Sequence, residues 1–288
     1  MNGILVINKP LRYTSRDIVN KVGKILNIKK IGHTGTLDPN ASGVLVLCIG
    51  KALKVCELLQ DHDKEYIAEV ILGIETDTLD MDNNATIIKE ERVDIDDGLI
   101  KEVVTSFKGR YMQEVPIYSA IKVNGRKLYE YARNNIPVDL PKKEVDIKNI
   151  LVIGDIIHKQ NKVFFKIKCT VSKGTYIRSL IRDIGNKLNV PAVMNSLVRT
   201  KVGKFSIDNS YTINDIENEN YHLIDITDAL EDISTIVVDN DLAFKIKNGV
   251  ILDKFFDSNM AFIKDKGNNL LAIYKNDGNK CRPYKMFI

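Results

Sequence analysis

The sequence has little of what marks a secreted, metal-holding or membrane-spanning chain. Its four cysteines (Cys48, Cys56, Cys169 and Cys281) are scattered and form no CxxC pair. They fit reduced core thiols better than disulfides or a metal site. The four histidines (His33, His62, His158 and His222) are equally dispersed, so nothing resembles a zinc cluster. The longest apolar runs, such as Gly43 to Ile49, are far too short to span a bilayer. The N-terminus lacks a basic flank followed by an apolar stretch and a small-residue cleavage site, so the expected compartment is the cytoplasm. No internal repeat or low-complexity tract stands out.

What is present is an ordinary globular balance: 44% hydrophobic and 28% charged residues over 288 positions. That length accommodates one large domain, or one large and one small. A net charge of +4 and a pI near 8.6 permit nucleic-acid binding without establishing it.

Local patterns give an α+β reading. Ile4-Leu-Val-Ile7 reads as a buried strand, and Thr14-Ser-Arg-Asp17 has the capping-box spacing. Ile18, Val19, Val22, Ile25 and Leu26 then follow at helical intervals. A glycine-rich loop from Gly32 to Gly43 leads into the strand Val44 to Ile49. In Lys64 to Leu72 the residues Tyr66, Ala68, Val70 and Leu72 alternate onto one face, as a half-buried strand requires. Ile100, Val103, Val104 and Phe107 suggest a helix. Residues 124–148 are crowded with Lys and Arg, carry two prolines and hold Tyr129 and Tyr131; they read as a protruding basic insertion. Strands are expected near Val145 to Ile157 and Val163 to Val171. A helix is expected to open at Thr175 with Ile177, Leu180, Ile181, Ile184 and Leu188 inward, and to end at Val190-Pro191. Tyr211 to Ile233 turns acidic and Asn-rich, like a linker. Short segments between turn signals at Gly249, Asp265-Lys-Gly267 and Asn276-Asp-Gly-Asn279 suggest a small β domain after it.

The segment Gly32-His-Thr-Gly-Thr-Leu-Asp-Pro-Asn-Ala-Ser-Gly43 carries the most chemical information. Three glycines in twelve residues let backbone approach a ligand closely. Pro39 biases Asp38 toward an extended conformation. A carboxylate on such a loop can act as nucleophile or base, and Thr34, Thr36 and Ser42 offer hydroxyls to a ribose or phosphate. The residues alone favour the plainer alternative, since most Asp-Pro pairs simply start a surface turn.

This segment resembles the GHTGxLDPxAxG signature of TruB-family pseudouridine synthases. Further pieces follow in that family's order. They are Leu5-Val-Ile-Asn-Lys-Pro10 with Thr14-Ser15, Lys64-Glu-Tyr66, Thr76-Asp-Thr-Leu-Asp80, Val115-Pro116 with Tyr118-Ser-Ala-Ile-Lys122 and Gly125, Lys173-Gly-Thr-Tyr-Ile-Arg-Ser179, and Leu197-Val-Arg-Thr200. The similarity spans most of residues 3–207. The C-terminal part resembles the family's PUA-type RNA-binding domain only in position and size. The resemblance implies a mixed, largely antiparallel central sheet flanked by helices over residues 1–228, and a small β-rich PUA-like domain over 229–288.

It also implies roles. Asp38 would be the essential carboxylate that lets a uridine N-glycosidic bond break and the base rejoin through carbon. Tyr66 would stack on the target base and take part in proton transfer from C5; otherwise it is a tyrosine packed inside a strand. Arg178 would pair with Asp38, its forked guanidinium holding the carboxylate ionised and oriented; otherwise it is a solvated helix arginine. Tyr176 and Leu197 would line the nucleoside pocket, Asp80 would support it by hydrogen bonds, and His33 would contact the deformed RNA loop. Lys122, Arg126, Lys127, Arg133, Lys142 and Lys143 would meet phosphates, although a charge run is usually just a solvated face. No metal or cofactor is called for. The expected partner is the TΨC stem-loop of tRNA, whose stacked uridine must be extruded at a cost of a few kcal/mol, and no obligate protein partner is expected. Two rival readings are a pseudouridine synthase acting on another RNA, including the guide-dependent ribosomal type, and a non-catalytic RNA-binding or tRNA-folding chaperone. A nucleotide-binding reading of Gly32 to Gly35 lacks a second phosphate signature.

Overall fold

A computed structural model of the chain describes residues 1–82 and 85–288. Its centre is a nine-stranded sheet, with the spatial order Gly3–Lys9, Ala41–Ile49, Ala192–Val202, Lys64–Leu72, Lys162–Val171, Lys142–Lys159 and Gly109–Glu114. Ile31–His33 and Phe205–Ser206 pair onto its flank. All these pairings are antiparallel except that of Ala192–Val202 with Ala41–Ile49. The expected mixed, largely antiparallel α+β architecture is the one found.

The two strands Gly3–Lys9 and Ala41–Ile49 are continuous apolar runs because both their faces are covered. Leu5, Ile7, Leu45, Leu47 and Ile49 pack on Ile18, Val19 and Val22 of the helix Ser15–Ile25. Their alternate residues Ile4, Val6, Val44, Val46 and Cys48 share a second core with Phe262 and Ile273 of the C-terminal sheet and with Phe287 just after its last strand. Along Lys64–Leu72 one face is buried throughout, by the alternating set Lys64, Tyr66, Ala68, Val70 and Leu72, while on the other face only Ile71 is buried. The fully buried face packs on the helices Asp97–Thr105 and Ile177–Lys187.

The Thr14–Asp17 capping box forms as its spacing requires. The helix expected to open at Thr175 opens one residue later: Tyr176 is its N-cap and offers no side-chain cap. The residues read as one insertion, about 124–148, divide. Up to 141 they project, with a hairpin of Lys122–Val123 and Arg126–Lys127 followed by the helix Leu128–Arg133. Its Asn124-Gly125 turn has φ of 50° and 82° at the two residues, the combination that a two-residue hairpin turn of the primed type needs. From Lys142 on, the chain is a strand of the central sheet, because Val145, Ile147 and Ile150 belong to its core.

The acidic stretch expected as a linker is not a free tether. Tyr211 and Ile224 pair with the N-terminal strand, and Ile216, Ile226, Ala229 and Leu230 are buried. The end of residue range 1–228 falls inside the helix Ile226–Ala229. Beyond it, Ser234–Val238, Met260–Asp265, Leu270–Asp277, Lys280–Met286 and Leu252–Asp253 form a five-stranded sheet with the helix Asn240–Lys247. No helix among the described residues is long and apolar enough to cross a membrane.

Candidate active site

A cleft of about 580 Å³ opens where the Gly32–Gly43 loop, the strand Lys64–Leu72, the strand Ala192–Val202 and the start of the helix Ile177–Lys187 converge. His33, Asp38, Tyr66, Tyr176, Arg178 and Leu197, far apart in sequence, all line it. That volume falls within the usual range for a small-ligand pocket. Asp80 is buried and is not among the residues that line the cleft. Burial raises its pKa, opposed by a 2.6 Å hydrogen bond from the Thr78 hydroxyl and by the charge of Arg178.

Asp38 is half exposed at the cleft, and Arg178 beneath it is nearly buried, with Nη2 of the arginine 3.2 Å from Oδ2 of the carboxylate. The contact differs from the two-pronged grip expected of a guanidinium. Nη1 donates to the Thr78 carbonyl at 3.0 Å and Nη2 donates to the Tyr118 carbonyl at 3.1 Å. The fork is therefore anchored in the backbone of two other loops and offers the carboxylate one nitrogen.

The backbone on both sides of Asp38 is tied by residues to which the sequence reading gave no role. Ser15 Oγ receives the Leu37 N–H at 2.8 Å and donates to the Leu37 carbonyl at 3.3 Å. Lys9 Nζ, fully buried, donates to the carbonyls of Tyr13 at 2.7 Å, Pro10 at 2.9 Å and Pro39 at 3.4 Å. Arg199, also buried, donates to the carbonyls of Val44 at 2.7 Å, Gly35 at 3.2 Å and Thr36 at 3.4 Å. Burial lowers the Lys9 amine to about 8, against the pull of the Asp38 charge. Gly43, at φ 103°, lets the Arg199 backbone pass: a Cβ there would stand 2.2 Å from the Arg199 carbonyl oxygen. Lys9, Ser15 and Arg199 all sit inside the motif pieces quoted above. Their spacing gave no sign that the loop rests on them, because a buried cation satisfied by carbonyls is a property of the fold.

Tyr66 is nearly buried, with Cys169 and Arg199 as its strand neighbours. Its hydroxyl makes no hydrogen bond among the described residues. Tyr176 has its pKa raised by burial. His33 has its pKa lowered by burial and by Arg16 and Arg199, and its buried Nδ1 has no partner among the described residues. Lys64, also unassigned from sequence, lines the cleft. It donates to the carbonyls of Gln60 and His62, and burial followed by the charges of Arg199 and Lys173 brings it to about 8.

The six basic residues expected to meet phosphate are not all in one place. Tyr129 lines the cleft mouth, with the Lys127 amine 5.4 Å and the Arg133 guanidinium 5.3 Å from its ring centre. Lys122 and Arg126 are exposed on the neighbouring hairpin. Lys143 reaches the Lys173 carbonyl at 3.5 Å, at the cleft edge. Lys142 instead lines a separate groove with Phe107, Glu114, Arg182 and Asp183. A carboxylate that shares a cleft with aromatic rings and cationic side chains can act by covalent attack or by proton removal. No group of residues suited to hold a metal occurs among the described residues.

Comparison with known proteins is consistent along the chain. Residues 23–177 match the model described as TruB family pseudouridylate synthase (N terminal domain), and residues 178–237 match the tRNA pseudouridylate synthase B C-terminal domain. The chain is 42% identical over 259 residues to the tRNA pseudouridine synthase B of Bacillus subtilis (strain 168), which covers 88% of this chain and 84% of that one. It is 43% identical over 282 residues to the protein of the same name from Clostridium tetani (strain Massachusetts / E88), covering 96% and 93%. Among solved structures, a chain of a Cbf5-Nop10-Gar1 complex superposes with a TM-score of 0.70 at 24% identity, over 99% of this chain and 85% of that one. At that identity the likeness is one of fold.

Proposed function

The chain belongs to the TruB family of pseudouridylate synthases, and from that membership we propose that it isomerises uridine to pseudouridine in the TΨC loop of tRNA, with Asp38 as the catalytic carboxylate. The observation that carries the residue assignment is the Asp38–Arg178 contact at the floor of a cleft shared with Tyr66, Tyr176 and Leu197.

The reaction breaks the bond from ribose C1′ to N1 of the base and makes one from C1′ to C5; the C5 proton leaves and N1 takes one up, so the formula is unchanged. Attack by the carboxylate on sugar or base, and removal of a ribose proton, both need Asp38 ionised. The Arg178 guanidinium, with Nη2 3.2 Å from Oδ2, holds the carboxylate in place. Tyr66 supplies an aromatic face for the freed base and a hydroxyl for moving the C5 proton. Tyr176 and Leu197 enclose the base, Asp80 steadies the Thr76–Asp80 loop on which Arg178 hangs through the Thr78 carbonyl, and His33 meets the opened RNA loop. Lys122, Arg126, Lys127, Arg133 and Lys143, with Tyr129 among them, offset the cost of extrusion by phosphate contact and stacking.

Residues 229–288, with Ser234–Val238 as their first strand, would add RNA contacts of the PUA type. The enzyme would work in the cytoplasm without an obligate protein partner or a cofactor.

The test is incubation of purified chain alone with an unmodified tRNA transcript, followed by a pseudouridine-specific chemical read-out. Pseudouridine in the TΨC loop is expected. Its absence, or its appearance elsewhere, would overturn the reading.

A further inference from the structure

Gln113 sits on the edge strand Gly109–Glu114, outside the cleft, and is 1% exposed. A buried primary amide needs its donors and acceptor satisfied. Its Oε1 accepts the Tyr176 N–H at 2.8 Å, and its Nε2 donates to the Tyr176 carbonyl at 3.1 Å. One side chain thus takes both backbone polar groups of a single residue, as a neighbouring strand would. The same Nε2 donates to the Tyr111 hydroxyl at 2.7 Å, which reaches Asp183 Oδ2 at 3.4 Å in the second turn of the same helix.

The residue held is the N-cap of the helix Ile177–Lys187, and that helix has no side-chain cap of its own. An aromatic side chain cannot accept a bond from the first-turn N–H groups, where Ser, Thr, Asp or Asn normally would. Tyr176 lines the cleft, and Arg178 stands two residues further on, against Asp38. A helix start free to pivot about Tyr176 would move the ring and the guanidinium together. Shifts of about 1 Å cost on the order of a hundredfold in rate when reacting groups depend on alignment.

We propose that Gln113 is a positioning residue: its amide clamps Tyr176 and thereby sets Tyr176 and Arg178 against the nucleoside and Asp38. The inference rests on the proposed pseudouridylation, and wild-type turnover in the same assay reports on that reading separately.

Two variants test it. Gln113→Met keeps length and burial and removes all three hydrogen bonds, the two to Tyr176 and the one to Tyr111. Gln113→Glu keeps the acceptor for the Tyr176 N–H and loses the donor until the carboxyl is protonated. For Gln113→Met the expected result is unchanged tRNA affinity with a single-turnover rate at least tenfold below wild type, measured well below its thermal midpoint. For Gln113→Glu the rate relative to wild type should rise as pH falls, whereas Gln113→Met should stay flat. A third measurement does not need activity: hydrogen exchange in a peptide covering residues 174–182 should speed up in Gln113→Met, with the second half of the helix still protected. A folded Gln113→Met with a rate within threefold of wild type, or with rate and affinity falling together, overturns the proposal. So does unchanged exchange at the helix start.

Discussion

The Asp38 loop and the basic projection of residues 122–141 are held in opposite ways. Around Asp38 almost every backbone step is tied to a residue from a distant segment: Ser15 on Leu37, Lys9 on Pro39, Arg199 on Gly35 and Thr36. Two of those ties are buried cations, which are stable there because carbonyls replace the water they lost. The projection rests on an Asn-Gly turn and a six-residue helix, and its cations stay largely in water. A charge that must meet a phosphate has to remain exposed, and exposed pairs add little to stability. A carboxylate that must meet one atom has to be fixed, and fixing it means burying charge.

Asp38→Asn breaks the comparison at its centre and should have the largest effect on chemistry. The amide keeps size and polarity but can serve neither as nucleophile nor as base. Fold and tRNA affinity should stay near wild type while pseudouridine formation is abolished. Tritium release from C5-labelled uridine in a single turnover reads this, and activity within tenfold of wild type would refute the role of Asp38.

Arg199→Met should cost most in stability. It leaves the carbonyls of Val44, Gly35 and Thr36 short of a donor in a buried place. At roughly 1–3 kcal/mol for each orphaned buried group, a loss of at least about 3 kcal/mol in urea unfolding is expected. Turnover should fall as well, since the loop that presents Asp38 loosens. Arg126→Ala, on the projection, should change the urea midpoint by no more than a few tenths of a kcal/mol. Equal losses in the two variants would mean that the loop is not specially braced.

The same contrast explains what was legible beforehand. The strands and the Thr14–Asp17 cap followed from local pattern, because alternation and capping are short-range rules. The site residues came from motif pieces quoted in order, and the fold brings His33, Asp38, Tyr66, Tyr176, Arg178 and Leu197 to one cleft. The bracing was hidden. Nothing about Lys9 or Arg199 in the sequence distinguishes a buried cation from a surface one, and nothing about Gln113 points to Tyr176. The basic insertion was extended too far because a run of lysines reads alike in a projection and at the exposed start of a core strand. Lys142 and Lys143 belong to that strand.

Arg178→Lys sharpens the comparison inside the cleft. A lysine keeps the positive charge but cannot span the Thr78 and Tyr118 carbonyls while also offering Asp38 a nitrogen. The variant should bind tRNA normally and turn over at least tenfold more slowly, a barrier higher by about 1.4 kcal/mol or more. A single-turnover rate within threefold of wild type would remove the pairing from the mechanism.

The smallest effects belong to the projection, where each cation acts alone. Removing one phosphate contact should leave stability and single-turnover rate at saturation untouched and lower the slope of log affinity against log salt by about 0.7–0.9. Geometry divides the six candidates. Lys127 and Arg133 flank Tyr129 at the cleft mouth, and Lys122 and Arg126 lie on the adjoining hairpin. Lys142 faces the separate groove beside Glu114 and Arg182. Alanine at Arg126 and Lys127 together should therefore reduce the slope by about 1.4–1.8, while Lys142→Ala should leave it where it was. Titrating tRNA affinity against potassium chloride for the wild type and both variants decides the matter. A slope unchanged by the double substitution would make the projection a solvated surface. A slope reduced as much by Lys142→Ala as by either projection residue would extend the RNA path around the edge of the central sheet.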